Sequence, residues 1–114
     1  MKKNILLKIE QLISEKKIDE AQFELSRLGQ SYNEDANYLF LRGRVFYINK
    51  LYYAAIDALL IALEFEQHDK IYNLLAEIYG VLGNKDLEKS IANPDLRIKA
   101  INILKDQLTG IYRK

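Results

Sequence analysis

Apolar residues recur every three or four positions along most of the chain, which is the spacing of amphipathic α-helices. Ile5, Ile9, Leu12 and Ile13 form the first such face, and the polar run "SEKK" ends it. No stretch alternates apolar and polar residues between turn dipeptides, so the pattern predicts an all-α fold. Further helices are predicted over about 19–28, 36–48, 52–66, 70–82 and 86–93, with a last helix from about 95.

Turn-forming residues set the predicted helix ends. Gly29 and Gly83 are typical of helix C-termini, and Asn49-Lys50 interrupts the most apolar part of the chain. Pro94 disfavours a helical conformation in the residue before it but suits the first turn of a new helix. The last helix is expected to direct its apolar residues toward the core: Leu96, Ile98, Ile101, Leu104, Leu108 and Ile111.

The apolar run from Leu51 to Phe65 raises the question of a membrane span. It is shorter than the roughly 20 residues that a helix needs to cross a bilayer, and it contains Asp57. We therefore expect this helix to be buried within the protein.

The second and fourth predicted helices are related by an internal repeat. When "KKIDEAQFELSRL" is laid on "NKLYYAAIDALLIAL" without gaps, four pairs align: Ile18 with Tyr52, Ala21 with Ala55, Leu25 with Leu59, and Leu28 with Ala62. The offset is about 34 residues, a period typical of helix–turn–helix repeats. The third and fifth helices align as well, with Gly43 on Ala76 and Phe46 on Tyr79.

These positions resemble the tetratricopeptide repeat (TPR) family. The second unit carries the resemblance best, through Leu39, Gly43, Phe46, Tyr52, Ala55, Leu59 and Ala62. The resemblance implies a right-handed α-solenoid of antiparallel helix hairpins in one domain. Its units would span about 2–34, 36–68 and 69–93, followed by a capping helix over about 95–113.

In the first unit Lys8-Ile9 replaces the usual large–small pair. In the third unit "GNKDLEKSIANP" is expected to lengthen the turn, with Ser90 as the counterpart of Ala55.

Two small residues explain how the second hairpin would pack. Helices cross closely only where a small side chain lies at the contact, and Gly43 and Ala55 provide it. Arg42 and Arg44 flank Gly43 and are expected to point away from the partner helix. Asn49-Lys50 is then the turn of the hairpin.

Composition and charge exclude several classes of protein. Apolar residues make up 49% of the chain and charged residues 29%, as in a folded globular domain. The net charge of +1 offers no general attraction to nucleic acid or to anionic lipid. There is no cysteine, which excludes disulfides and cysteine zinc sites. Lys8 and Glu10 break the first apolar run too early for a signal peptide, so a cytoplasmic protein is expected.

No catalytic constellation is found in the sequence. His68 is the single histidine, and its neighbours Glu66 and Asp69 make only a weak case for a metal, so a solvated linker is predicted there. No glycine-rich phosphate loop and no metalloprotease motif is present. We therefore expect no enzymatic activity, no metal and no cofactor.

The resemblance implies a ligand surface, since first helices of successive TPR units line a concave face. The residues predicted there are Asn37, Phe40, Arg44 and Tyr47 on the third helix, and Lys70, Asn73 and Glu77 on the fifth. Of the positions that form a carboxylate clamp in some TPR proteins, only Lys70 matches, so no such clamp is predicted.

Among the tyrosines, Tyr52 and Tyr79 are expected in the core, whereas Tyr47 and Tyr53 are left open between core and surface.

The predicted function is a non-catalytic module that binds a protein or peptide in this groove. The alternative is a structural protein that self-associates, as a homodimer for instance, through the last helix or the concave face. A nucleic-acid-binding helix pair is disfavoured, because Arg97, Lys99 and Lys105 stand among Asp95 and Asp106.

Overall fold

The structure is a computed structural model that describes residues 2–112, with side chains described for 5–29 and 31–106. In this part the chain is helical and contains no strand, which confirms the all-α prediction. The α-helices are α1 (Lys2–Ser14), α2 (Ile18–Leu28), α3 (Ala36–Ile48), α4 (Tyr52–Phe65), α5 (Asp69–Val81), α6 (Lys85–Ala92) and α7 (Arg97–Tyr112). A short 3₁₀ helix, Gly29–Tyr32, follows α2. Where the sequence predicts a helix boundary, the observed boundary agrees to within two residues.

The chain forms two compact units, Met1–Gln67 and His68–Lys114. In the first unit α1 pairs with α2 and α3 pairs with α4, and α3 also packs against α1 and α2. In the second unit α5 pairs with α6, and α7 packs against α6. The contact between α3 and α4 is more extensive than that between α1 and α2.

The turns that join the paired helices have the same geometry in all three hairpins. After α3, the Lys50 N–H donates to the Tyr47 carbonyl (2.9 Å) and the Leu51 N–H donates to the Phe46 carbonyl (2.8 Å). The same two bonds follow α1 and α5 at 2.8 to 3.1 Å. This is a Schellman turn, which needs a left-handed residue just beyond the helix. The left-handed residues are Lys16 (φ 64°), Lys50 (φ 64°) and Gly83 (φ 87°).

The prediction of a lengthened turn before α6 is wrong. The helices α2, α4 and α6 begin at Ile18, Tyr52 and Lys85, so the third hairpin follows the second at almost the same interval as the second follows the first. Gly83 ends α5 in the same way as Lys50 ends α3. The side chain of Asn84 then caps α6 by accepting a hydrogen bond from the Leu87 N–H (3.2 Å). The polar run is thus a turn and a cap, and the counterpart of Ala55 is Glu88 rather than Ser90.

A left-handed lysine costs stability that a glycine does not. We expect Lys50→Gly to raise the free energy of unfolding by roughly 0.5–1 kcal/mol, measured by urea unfolding followed by circular dichroism. Gly83→Ala is the matched reverse change, because an added Cβ meets no atom within 4 Å there. Its loss of stability would therefore report backbone strain alone. A lower stability for Lys50→Gly would contradict the assigned turn geometry.

The helices α3 and α4 approach each other closely at Gly43. A Cβ added at Gly43 would lie 2.9 Å from both Cγ and Cδ2 of Leu59 and 3.6 Å from the carbonyl oxygen of Ala55. Ala55 and Leu59 are themselves completely buried. The predicted contact of Gly43 with Ala55 is confirmed. The other buried side chains of α4 are those of Ile56, Ala58, Leu60, Ala62 and Leu63.

In the second unit the small residue lies at a different position. A Cβ added at Gly80 would meet the carboxylate of Glu88, so the end of the Glu88 side chain lies against this glycine. Ala76, which aligns with Gly43 in the sequence, is also buried. The core of this unit is completed by Ile71, Leu75, Ile78 and Ile91.

The buried face of α7 differs from the predicted one. Ile101 and Leu104 are buried as predicted, but Leu96 and Ile98 are about half exposed. The buried side is instead completed by Ala100 and by Arg97, whose side chain is 11% exposed. Positions 97, 100, 101 and 104 form one helical stripe, and Ile98 lies off it. The predicted contributions of Leu108 and Ile111 lie outside the described side chains.

Arg97 connects α7 to α5 and to the end of α6. Its guanidinium carbon lies 4.4 Å from the ring centroid of Tyr72, and its Nη1 donates to Oδ1 of Asp69 (3.0 Å). Its Nη2 donates to the carbonyl of Ala92 (3.4 Å). Burial raises the pKa of the Tyr72 hydroxyl above its ordinary value; the charge of Arg97 opposes this rise, and that of Asp69 adds to it. Tyr72 is therefore a neutral phenol at physiological pH.

Candidate functional site

The four α3 residues predicted to bind a ligand lie on one stripe of that helix. Asn37 is exposed, and Phe40, Arg44 and Tyr47 are half-buried. They follow one another at helical spacing on a helix whose other sides are largely buried. Asp35 fixes the start of the stripe, because its side chain accepts hydrogen bonds from two backbone N–H groups in the first turn of α3 (2.9 and 3.1 Å).

The three predicted α5 residues form a similar stripe in the second unit. Lys70, Asn73 and Glu77 are exposed and stand three and four positions apart. The opposite side of α5 is the buried one, with Ile71, Leu75 and Ile78. The structure therefore leaves both stripes accessible within their own units. That the two stripes share one concave groove stays a prediction.

The tyrosines divide between core and surface. Tyr79 is buried, as predicted, and so is Tyr72. The prediction for Tyr52 is wrong in part, because it is half-buried. It is the first residue of α4, and its ring lies against that of Tyr47, with 5.9 Å between the ring centroids, beside the turn. Tyr53 is 66% exposed.

A groove that the sequence did not indicate lies between α2 and α3 in the first unit. It encloses about 450 Å³ and is lined mainly by apolar surface. This volume falls within the roughly 300–1,000 Å³ of known ligand pockets. Its lining includes Gln22, Leu25, Ser26, Tyr38, Arg42 and Phe46.

Arg42 is the cation of this groove. Its guanidinium carbon lies 5.8 Å from the ring centroid of Tyr38 and 5.4 Å from that of Phe46. Within the part of the chain that the structure describes, the guanidinium has neither a hydrogen bond nor an ion pair. The sequence pattern that indicates this arrangement is the spacing of Tyr38, Arg42 and Phe46. They stand four positions apart, which puts all three on one face of α3.

The described side chains, those of residues 5–29 and 31–106, include no cluster of three or more His, Cys, Asp or Glu residues that could hold a metal ion. His68 itself immediately precedes α5. None of the described helices combines the length and the apolar character that crossing a membrane requires.

Comparisons with models of protein families, with curated proteins and with solved structures found no match to this chain. Its function is therefore inferred from the geometry of the described residues.

Proposed function

We propose that this chain is a non-catalytic protein-interaction module of the TPR type. In this proposal three hairpins form a right-handed α-solenoid, α7 caps it, and the module binds a peptide or protein segment in the cytoplasm. The observation that supports it is the threefold recurrence of one Schellman turn, at a spacing of about 34 residues. Repeated hairpins of this kind stack and expose extended binding surfaces.

The stripe on α3 has suitable chemistry for such a ligand. Arg44 can bind a carboxylate with two parallel hydrogen bonds. Phe40 and Tyr47 offer aromatic surface, the kind of residue that anchors many protein interfaces. On α5, Asn73 can pair with a ligand backbone, while Lys70 and Glu77 would discriminate between ligand charges.

The test compares the partner affinity of a variant altered on the proposed stripes with that of a matched variant altered outside them. Arg44→Glu combined with Asn73→Ala changes one charge and one amide on the proposed stripes. Lys89→Glu combined with Asn102→Ala makes the same kinds of change at exposed positions outside them. Partners captured from cell extract by the wild-type chain would be identified, purified and titrated against each variant.

We expect the interface variant to weaken binding of a purified partner by about tenfold or more. The matched variant should bind as the wild type does, because it leaves both stripes intact. Equal affinities for all three proteins would show that the proposed stripes are not the binding surface.

A second candidate function is self-association through α7. Leu96 immediately precedes α7 and Ile103 lies within it, and both are about half exposed. Exposed aliphatic residues on one face favour an interface with another chain. Sedimentation velocity over a range of concentrations separates the candidates. A concentration-dependent dimer that Ile103→Lys abolishes would support self-association, whereas a monomer throughout would exclude it.

A further inference from the structure

The groove between α2 and α3 has no role in the surface proposed above. Arg42 and Arg44 are two positions apart on α3 and therefore face different sides of the helix. Arg42 lines the groove together with Leu25 and Phe46, whereas Arg44 belongs to the α3 stripe. A ligand held by Arg42 thus occupies a separate site.

We propose that the groove between α2 and α3 binds a peptide segment of a partner protein that carries an aspartate or glutamate beside an apolar side chain. The carboxylate pairs with Arg42, and the apolar side chain lies against Leu25 and Phe46. This inference rests on the proposed function as an interaction module and assigns it a second surface with a defined ligand chemistry.

Charge is the first reason to expect an acidic ligand. The two rings of Tyr38 and Phe46 restrict the guanidinium of Arg42 while leaving its N–H groups without an anionic partner among the described residues. A planar guanidinium held in this way is prepared for a bidentate carboxylate. Asp35 does not serve as that partner, because its carboxylate caps α3 through backbone N–H groups.

The lining is the second reason, and it favours a peptide. The apolar part of the groove suits an aliphatic or aromatic side chain. Polar side chains that can contact a peptide backbone also line it: Ser26 donates its hydroxyl proton to the Phe23 carbonyl (2.7 Å) and keeps its acceptor sites. The amide oxygen of Gln22 accepts from Asn49 (3.5 Å), which leaves the Gln22 NH₂ group as a donor.

The test begins with selection from a displayed library of random peptides on the immobilised full-length chain. We expect the enriched peptides to carry Asp or Glu next to an apolar residue. One selected peptide, labelled with a fluorophore, would then be titrated against the chain and its variants by fluorescence anisotropy. A second peptide with the acidic residue replaced by its amide would be titrated in parallel.

The variants separate the groove from other cationic surfaces. We expect Arg42→Gln to lower the affinity for the acidic peptide by about tenfold or more. The affinity for the amide peptide, which is already low, should not change. Arg27→Gln is the matched control. Arg27 also lies over an aromatic ring, 5.7 Å from the centroid of Phe23, but it pairs with Glu24 and does not line the groove. Its loss should not change the affinity.

A second substitution is needed because Arg42→Gln would also lose binding if it failed to fold. Gln22→Glu leaves Arg42 and both neighbouring rings in place and adds a competing carboxylate to the groove, so it should also lower the affinity for the acidic peptide. Circular dichroism would establish that each variant retains its helical content. If Gln22→Glu is folded and binds as the wild type does, the inference is overturned.

The remaining outcomes each decide the question. If Arg44→Gln lowers the affinity for the selected peptides and Arg42→Gln does not, the groove inference fails while the proposed function stands. If no peptide is enriched, the groove inference fails, and the partner titration above decides the proposed function on its own. If hexanoate displaces the peptide at equal concentration, the groove is a site for small carboxylates, and the peptide assignment is wrong.

Discussion

Replacing Ala55 with leucine should lower the free energy of unfolding by about 1–3 kcal/mol. Ala55 is completely buried, and its carbonyl oxygen is 3.6 Å from the position that a Cβ of residue 43 would take. Leu59 already fills the space beside Gly43. The larger side chain would therefore force α3 and α4 apart or push neighbouring side chains out of their preferred rotamers.

The control for this change is the neighbouring residue. Ala54 is exposed on the same helix, so Ala54→Leu adds the same atoms without overpacking and should leave stability within about 0.5 kcal/mol of the wild type. Urea unfolding of both variants measures the difference. Equal midpoints for Ala55→Leu and the wild type would show that α3 and α4 do not cross at this point.

A coupled pair of substitutions tests the same crossing from the other side. Gly43→Ala would bring its Cβ within 2.9 Å of two Leu59 carbons, so we expect a loss of about 1–3 kcal/mol. Adding Leu59→Ala removes the obstructing atoms. The double variant should therefore lose less stability than the sum of the two single variants, by roughly 0.5–3 kcal/mol.

Replacing Arg97 with alanine should lower the free energy of unfolding of the second unit by about 1–2 kcal/mol. The change removes the stacking on Tyr72 and the hydrogen bond to the Ala92 carbonyl, which hold the start of α7. Within the described part of the chain the Nε of Arg97 is buried without a hydrogen-bond partner. Part of its desolvation cost is thus uncompensated, which limits the expected loss.

Two further variants separate the stacking from the ion pair. Asp69 is 88% exposed, so its pair with Arg97 is screened by water, and Asp69→Asn should cost less than about 0.5 kcal/mol. Arg97→Lys retains the charge but loses the planar group, so it should resemble Arg97→Ala. Urea unfolding gives the magnitudes, and faster amide hydrogen exchange in α7 would locate the effect. An Asp69→Asn variant as unstable as Arg97→Ala would show that the ion pair dominates.

The helices and the central crossing were predictable because they depend on local pattern. Apolar spacing, Gly29, Asn49-Lys50 and Pro94 placed the helix ends to within two residues. Gly43 and Ala55 were recognisable as a contact because small residues flanked by large ones at helical spacing let two backbones approach closely. The sequence predicts the turn before α6 wrongly, because "GNKD" resembles an insertion unless Gly83 takes the left-handed position that Lys50 takes one hairpin earlier.

The groove at Arg42 could not be foreseen in the same way. The sequence placed Arg42 beside the helix crossing but did not show that α2 would leave a groove next to it. The accessibility of the stripes on α3 and α5 was predictable. The apolar face of each helix is buried, so the residues on the opposite face are accessible.

The order of residues by itself determined the helical class, the repeat of about 34 residues and the pairing of α3 with α4, since these follow from periodicity and from small residues at close contacts. Only the tertiary structure decided which face of α7 is buried, where Tyr52 lies and that a groove opens beside Arg42 between α2 and α3. These features depend on side chains brought together from different helices, and the spacing within one helix carries no information about what a neighbouring helix places against it.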